Sequence, residues 1–177
     1  MLCIPFGAIR VHTERARDHL AEMSPKAIRA NQEFFDLLAG DIFARLYTAF
    51  PEPTDIHSDA ILHNDALRRQ DGFDDDPTRL ERLYRHTIQW LWDEGYLRFS
   101  EVATQDDDTE VFCNTVLTAK GLEALRKTPT TLAGPGLTIG DQIEATAKDI
   151  GSDTAKTVMK ELVGQALGWI VRGVTGL

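Results

Sequence analysis

At 177 residues with 42% hydrophobic content, the chain holds enough apolar material for one core of ordinary size with an appended terminal element. Its two cysteines, Cys3 and Cys113, lie far apart without a Cys-x-x-Cys pair, which argues against a disulfide framework and a zinc site and fits a reducing cytoplasm. The net charge of −9 is local: residues 51–78 carry eight acids against two arginines, residues 106–110 carry four acids and no base, and the remainder sums to +1, so an acidic whole still leaves room for a basic face.

The apolar start, Met1 to Phe6, is short, is broken by Pro5 and has its first positive charge, Arg10, after the apolar run rather than before it; a signal peptide is not expected. Ser24 and Pro25 mark a helix start, with serine as N-cap and proline in the first turn. Phe34, Phe35, Leu38, Ile42, Leu46 and Phe50 then recur at three- and four-residue spacing, one stripe of a helix. Gly40-Asp41 is a point at which that helix could divide, and Pro51 and Pro53 end it. Residues 51–76 mix Pro, Asp, His and Gly and read as a polar connection carrying one short helix from Ser58 to Arg69.

Pro77 opens the next long helix, with Asp74, Asp75 and Asp76 at its positive end. A step of 100° per residue puts Leu80, Tyr84, Thr87, Ile88 and Leu91 on one side and Arg79, Arg82, His86 and Gln89 on the other. Trp90 and Trp92 fall on the flanks, and Gly95 suits the left-handed C-terminal position. Tyr96 to Ala103 and Glu110 to Leu117 alternate as two strands, with Thr104 to Thr109 as the hairpin tip. Thr118 caps a further helix in which Leu122 and Leu125 face inward before Pro129 stops it.

A Thr/Pro/Gly-rich linker from Thr128 to Gly140 precedes two amphipathic segments, from Asp141 and from Asp153. In the second, Val158, Met159, Leu162, Val163, Ala166, Trp169 and Ile170 cover about half the circumference, opposite Glu161, Gln165 and Arg172. A face that wide requires a cover, for which the chain's own core, a second subunit and a membrane surface come in that order. The longest uncharged tract here, Leu162 to Val171, is half of the roughly 20 residues that a membrane span needs.

The order helix, Gly95-Tyr-Leu-Arg, acidic tip and Val116-Leu-Thr-Ala-Lys-Gly-Leu-Glu-Ala-Leu125 resembles the winged helix-turn-helix superfamily, in particular its bacterial regulators, over about residues 36–128. The resemblance implies a mainly α fold with a small β-hairpin: a winged helix-turn-helix core at 36–128, an N-terminal helical extension at 1–35, and a linker with a C-terminal amphipathic helical tail at 129–177. It also implies that the helix from Arg79 to Glu94 enters the major groove of duplex DNA, with Arg79, Arg82 and His86 near bases or phosphates and Arg85 and Gln89 beside them. That chemistry is credible, since arginine pairs with guanine edges and phosphate, and glutamine with adenine. The competing account is a solvated face on which Glu81 pairs with Arg85 and Arg82 with Asp93.

The tip departs from a DNA-binding wing, because phosphate repels Asp106, Asp107, Asp108 and Glu110. The second expectation is therefore a protein-interaction module that docks a basic partner through this acidic wing and the 51–76 segment. In either case the tail is a candidate for pairing two copies as a homodimer, and no transmembrane segment is expected. His57-x-Asp59 and His63-x-Asp65 are the best metal-like cluster, but six residues on a helix rotate the two imidazoles off a common face. Gly134 to Gly140 lacks the preceding strand and the Lys-Ser/Thr pair of a phosphate loop, and no triad, carboxylate pair or activated cysteine stands out. The expectation is a non-catalytic cytoplasmic protein with no cofactor and no metal.

Overall fold

Pro25 and the apolar run behind it form an uninterrupted helix, α1 (Pro25–Ala49). The structure, a computed structural model, describes residues 25–63, 77–105, 109–129 and 136–168. It divides into a unit of residues 1–33, whose described part is the opening of α1, and a unit Phe34–Leu177 that holds everything below. The fold is mainly helical with a small antiparallel sheet.

Helix α1 is not divided at Gly40, and its burial is not one stripe: residues 37–44 are all buried, Leu37, Ala39 and Phe43 together with Leu38 and Ile42. Gly40 explains both differences. A Cβ there would collide with the Met159 side chain, so the absence of a side chain lets another helix lie against α1 instead of breaking it.

After α1 comes β1 (Thr54–His57), a strand inside the segment read from sequence as a polar connection. The short helix expected from Ser58 is a 3-10 helix, Ser58–His63; its expected continuation to Arg69 lies outside the described residues. Helix α2 (Pro77–Asp93) starts at its proline, and Leu80, Tyr84, Thr87, Ile88 and Leu91 are all buried. Gly95 takes a φ of 73° in the turn that follows.

The expected first strand of the hairpin is split into β2 (Leu97–Arg98) and β3 (Glu101–Thr104), both antiparallel to β4 (Glu110–Leu117). β1 and β3 pair with the same stretch of β4 and therefore flank it on opposite edges. A bulge accompanies the split: Thr54 faces Thr115 while Ile56 faces Phe112, and Asn114 in the extra length of β4 has φ of 53°. Its amide donates to Asp55 (2.8 Å) and its side-chain amide to Ser100 Oγ (3.1 Å).

Helix α3 (Ala119–Arg126) is capped by Thr118. Helix α4 (Ile139–Ala147) begins with a reciprocal capping box between Thr138 and Asp141, on which the Tyr47 hydroxyl of α1 also rests. Helix α5 (Asp153–Ala166) buries Met159, Leu162, Val163 and Ala166 within the same core as α1 and α2. Of the three destinations left open by the sequence, the described part of the tail takes the chain's own core; Trp169 and Ile170 lie outside the described residues. Among the described residues no helix is long and apolar enough to cross a membrane.

Candidate functional site

The apolar side of α2 settles which of its residues face outward, and one buried polar contact holds its rotation. Tyr84, fully buried, donates its hydroxyl to Asp41 Oδ2 of α1 (3.1 Å), and the same oxygen accepts Arg45 Nε (2.8 Å). Burial, and after it the charge of Asp41, push the Tyr84 phenol well above its ordinary range, with Arg45 acting the other way, so the phenol keeps its proton and serves as donor. A hydrogen bond to a charged partner contributes about 1.5–3 kcal/mol. Neither Tyr84 nor Asp41 was singled out for this from sequence; the Asp41 and Arg45 spacing of four residues was the signal available.

On the outward side the five residues taken from the sequence differ in what they touch. Arg82 is exposed and makes no ion pair among the described residues. His86 is exposed on the next turn. Partial burial, then the positive charges of Arg85 and Arg82, push its imidazole below the ordinary value, while Glu110 pulls it up, so at neutral pH it is an uncharged hydrogen-bonding edge. Arg79 is half-buried and has its own interactions. Gln89 donates to Asp93 (3.2 Å). Arg85 Nη1 meets Glu110 Oε1 at 3.0 Å, with the two side chains 39% and 29% exposed, a partly solvated pair worth about 0–1 kcal/mol.

The carboxylates are thus placed differently from the expected Glu81 with Arg85 and Arg82 with Asp93. Ser58, 1% exposed, explains the change. Its hydroxyl donates to Glu81 Oε1 (2.8 Å) and accepts from the Glu110 amide (3.1 Å), tying the 3-10 helix to α2 and β4 at once. Glu81 is engaged there, and β4 delivers Glu110 to Arg85.

Glu110 links the two readings: expected as one of the docking acids, it neutralises Arg85, one of the residues expected at DNA. Asp106, Asp107 and Asp108 lie outside the described residues; on either side of them the Gln105 amide donates to the Thr109 carbonyl (2.9 Å) and closes the hairpin. β3 is exposed at every position. Beyond the polar face, Trp92 and Val102 are each 44% exposed, and Trp92 leans on Phe99 with ring centres 5.4 Å apart.

Among the described residues no three His, Cys, Asp or Glu side chains gather as a metal site. His57 and Asp59 flank the start of the 3-10 helix, His63 is its last residue, and Asp65 lies outside the described residues. Cys113 is half-buried in β4 as a free thiol. Comparison with known proteins gives no match to the chain, whether to a family model, to a curated protein or to a solved structure.

Proposed function

We propose that the chain is a non-catalytic nucleic-acid-binding regulator of winged-helix type, with α2 in the recognition position and the β3–β4 hairpin as its wing. The observation that carries this reading is Arg82: an exposed guanidinium without an ion partner among the described residues, on a helix whose other side is locked into the core. The tail leaves that face open in its described part, since α5 packs on α4, on α3 and, through Met159, on α1. The topology supports the same reading, with a strand between the first and second helices pairing with the last strand of the hairpin.

The five candidate residues divide their roles. Arg82 supplies the positive charge, neutral His86 beside it offers hydrogen bonding to a base edge or phosphate, and Gln89 exchanges its contact with Asp93 for an adenine edge. Arg85, held by Glu110, orients the face more than it attracts phosphate, and Arg79 stands at the entry of the helix. The acidic tip keeps the wing away from the DNA backbone.

Short duplex DNA titrated at low salt should bind, with an affinity that falls steeply as salt rises. Arg82→Ala should weaken binding by about 1–3 kcal/mol, with unchanged circular dichroism. No binding of folded protein at low salt, or an unchanged affinity in the variant, would remove this reading. What then gains is the second one, a protein-docking module, which the exposed Trp92, Val102 and edge strand β3 favour.

A further inference from the structure

On the side of α1 that carries Arg45, a cleft of about 560 Å³ opens between α1, β1, the 3-10 helix and α4, within the size range of small-molecule sites. Its apolar wall is made of Ile56 and the small side chains of Ala44, Ala60 and Ala147. Three acids also line it, and each already holds an internal donor: Asp41 accepts Arg45 and Tyr84, Asp55 accepts the Asn114 amide, and Glu144 accepts Lys148 at 2.9 Å. Two cations line it as well: Lys148 is held at Glu144, and Arg45, among the described residues, gives only its Nε, to Asp41, and is 43% exposed, so the two terminal amino groups of its fork remain for an acceptor that enters the cleft.

A guanidinium held rigid by one carboxylate and presenting a planar pair of donors matches a second carboxylate. The neighbouring methyl groups match an uncharged hydrocarbon body, which an inorganic ion lacks. We propose that this cleft binds a small organic acid, its carboxylate on the Arg45 fork and its apolar body on Ala44, Ile56 and Ala147. Because Asp41 is shared between Arg45 and Tyr84, occupancy is transmitted to α2.

The test uses the full chain, without nucleic acid, so it is independent of what α2 recognises. Benzoate titrated into isotope-labelled protein should give saturable shifts at the amides of Ala44, Ala60 and Ala147 and at the Tyr84 ring. Arg45→Gln, which keeps a donor for Asp41, should weaken benzoate at least tenfold. Ala147→Leu, which fills the wall and leaves Arg45 intact, should also weaken it. Inorganic phosphate and benzylamine should bind at least tenfold more weakly than benzoate. The proposal is overturned by the absence of saturable shifts with benzoate, by benzoate affinity unchanged in either variant, or by phosphate or benzylamine binding as tightly as benzoate.

Discussion

His86 shows how one side chain takes its chemistry from its neighbours. It is exposed, yet partial burial and then the guanidiniums of Arg85 and Arg82 hold its pKa below the ordinary 6.5, against the pull of Glu110. The folded chain therefore disfavours the imidazolium relative to the unfolded chain. The resulting stability is present above the unfolded pKa of 6.5 and is lost as pH falls through the folded value. Urea unfolding from pH 7 down to pH 5 should show a decline in stability that is shallower in His86→Gln than in the wild type. An identical slope in the two proteins would show that other groups carry the whole of it. The Glu110 carboxylate, which opposes this shift, also engages Arg85. The nearness of Arg82 and Arg85 to His86 was legible from the order of residues along α2, but the contribution of Glu110 was not. The helix repeat told which residues share a face, while the partner of Arg85 comes from β4, 25 positions away, brought there by the Ser58 contacts.

At the scale of elements, the phrase Leu117-Thr-Ala-Lys-Gly121 is a joint, and each of its parts has a structural task. Leu117 pairs with Leu97 across the sheet. The Thr118 hydroxyl accepts from the Gly121 amide (3.1 Å) and donates to the Gly95 carbonyl (2.6 Å), and the Thr118 amide donates to Tyr96 (3.0 Å). The Lys120 ammonium lies 4.1 Å from the centre of the Tyr96 ring and donates to the Glu94 carbonyl. Gly121 permits all of this, since a Cβ there would run into the Tyr96 carbonyl oxygen. In an ordinary helix interior Gly→Ala stabilises by about 1 kcal/mol; here the added methyl meets backbone and should destabilise by about 1–3 kcal/mol. Chemical denaturation of Gly121→Ala decides between the two by sign alone. The Thr118 cap was readable in the sequence because capping is local; the contacts of Gly121 and Lys120 with Tyr96 were not, because they join two elements. β1 was not readable: four residues with one buried apolar side chain, Ile56, carry too little alternation, and its pairing with β4 is a long-range event. The break between β2 and β3 was equally hidden, because it accompanies the left-handed Asn114 in the partner strand.

For the whole molecule, the decisive fact is that α1 is wrapped rather than faced. A helix buried on one side announces itself by its repeat, as α2 and α5 do, and most of their inward residues were legible for that reason; Gln165, which the repeat puts on the polar side of α5, is nonetheless buried. A helix buried nearly all round loses the repeat, and the stripe read in α1 captured only part of its contacts. What covers the other side is α5, whose Met159 lies over Gly40. The wide apolar face of the tail thus completes the core that holds Tyr84 and, with it, the orientation of α2. The consequence is measurable at Leu162, which is fully buried in that core. Leu162→Ala should lower the unfolding free energy by about 2–5 kcal/mol, through lost transfer energy and the cavity left behind. The loss should be independent of protein concentration, with an unchanged sedimentation coefficient, because the leucine is surrounded by its own chain. Were α5 the seam between two copies, the same substitution would instead split an oligomer and make the apparent stability vary with concentration; that outcome would reassign the face of α5 from the core of one chain to the interface of two.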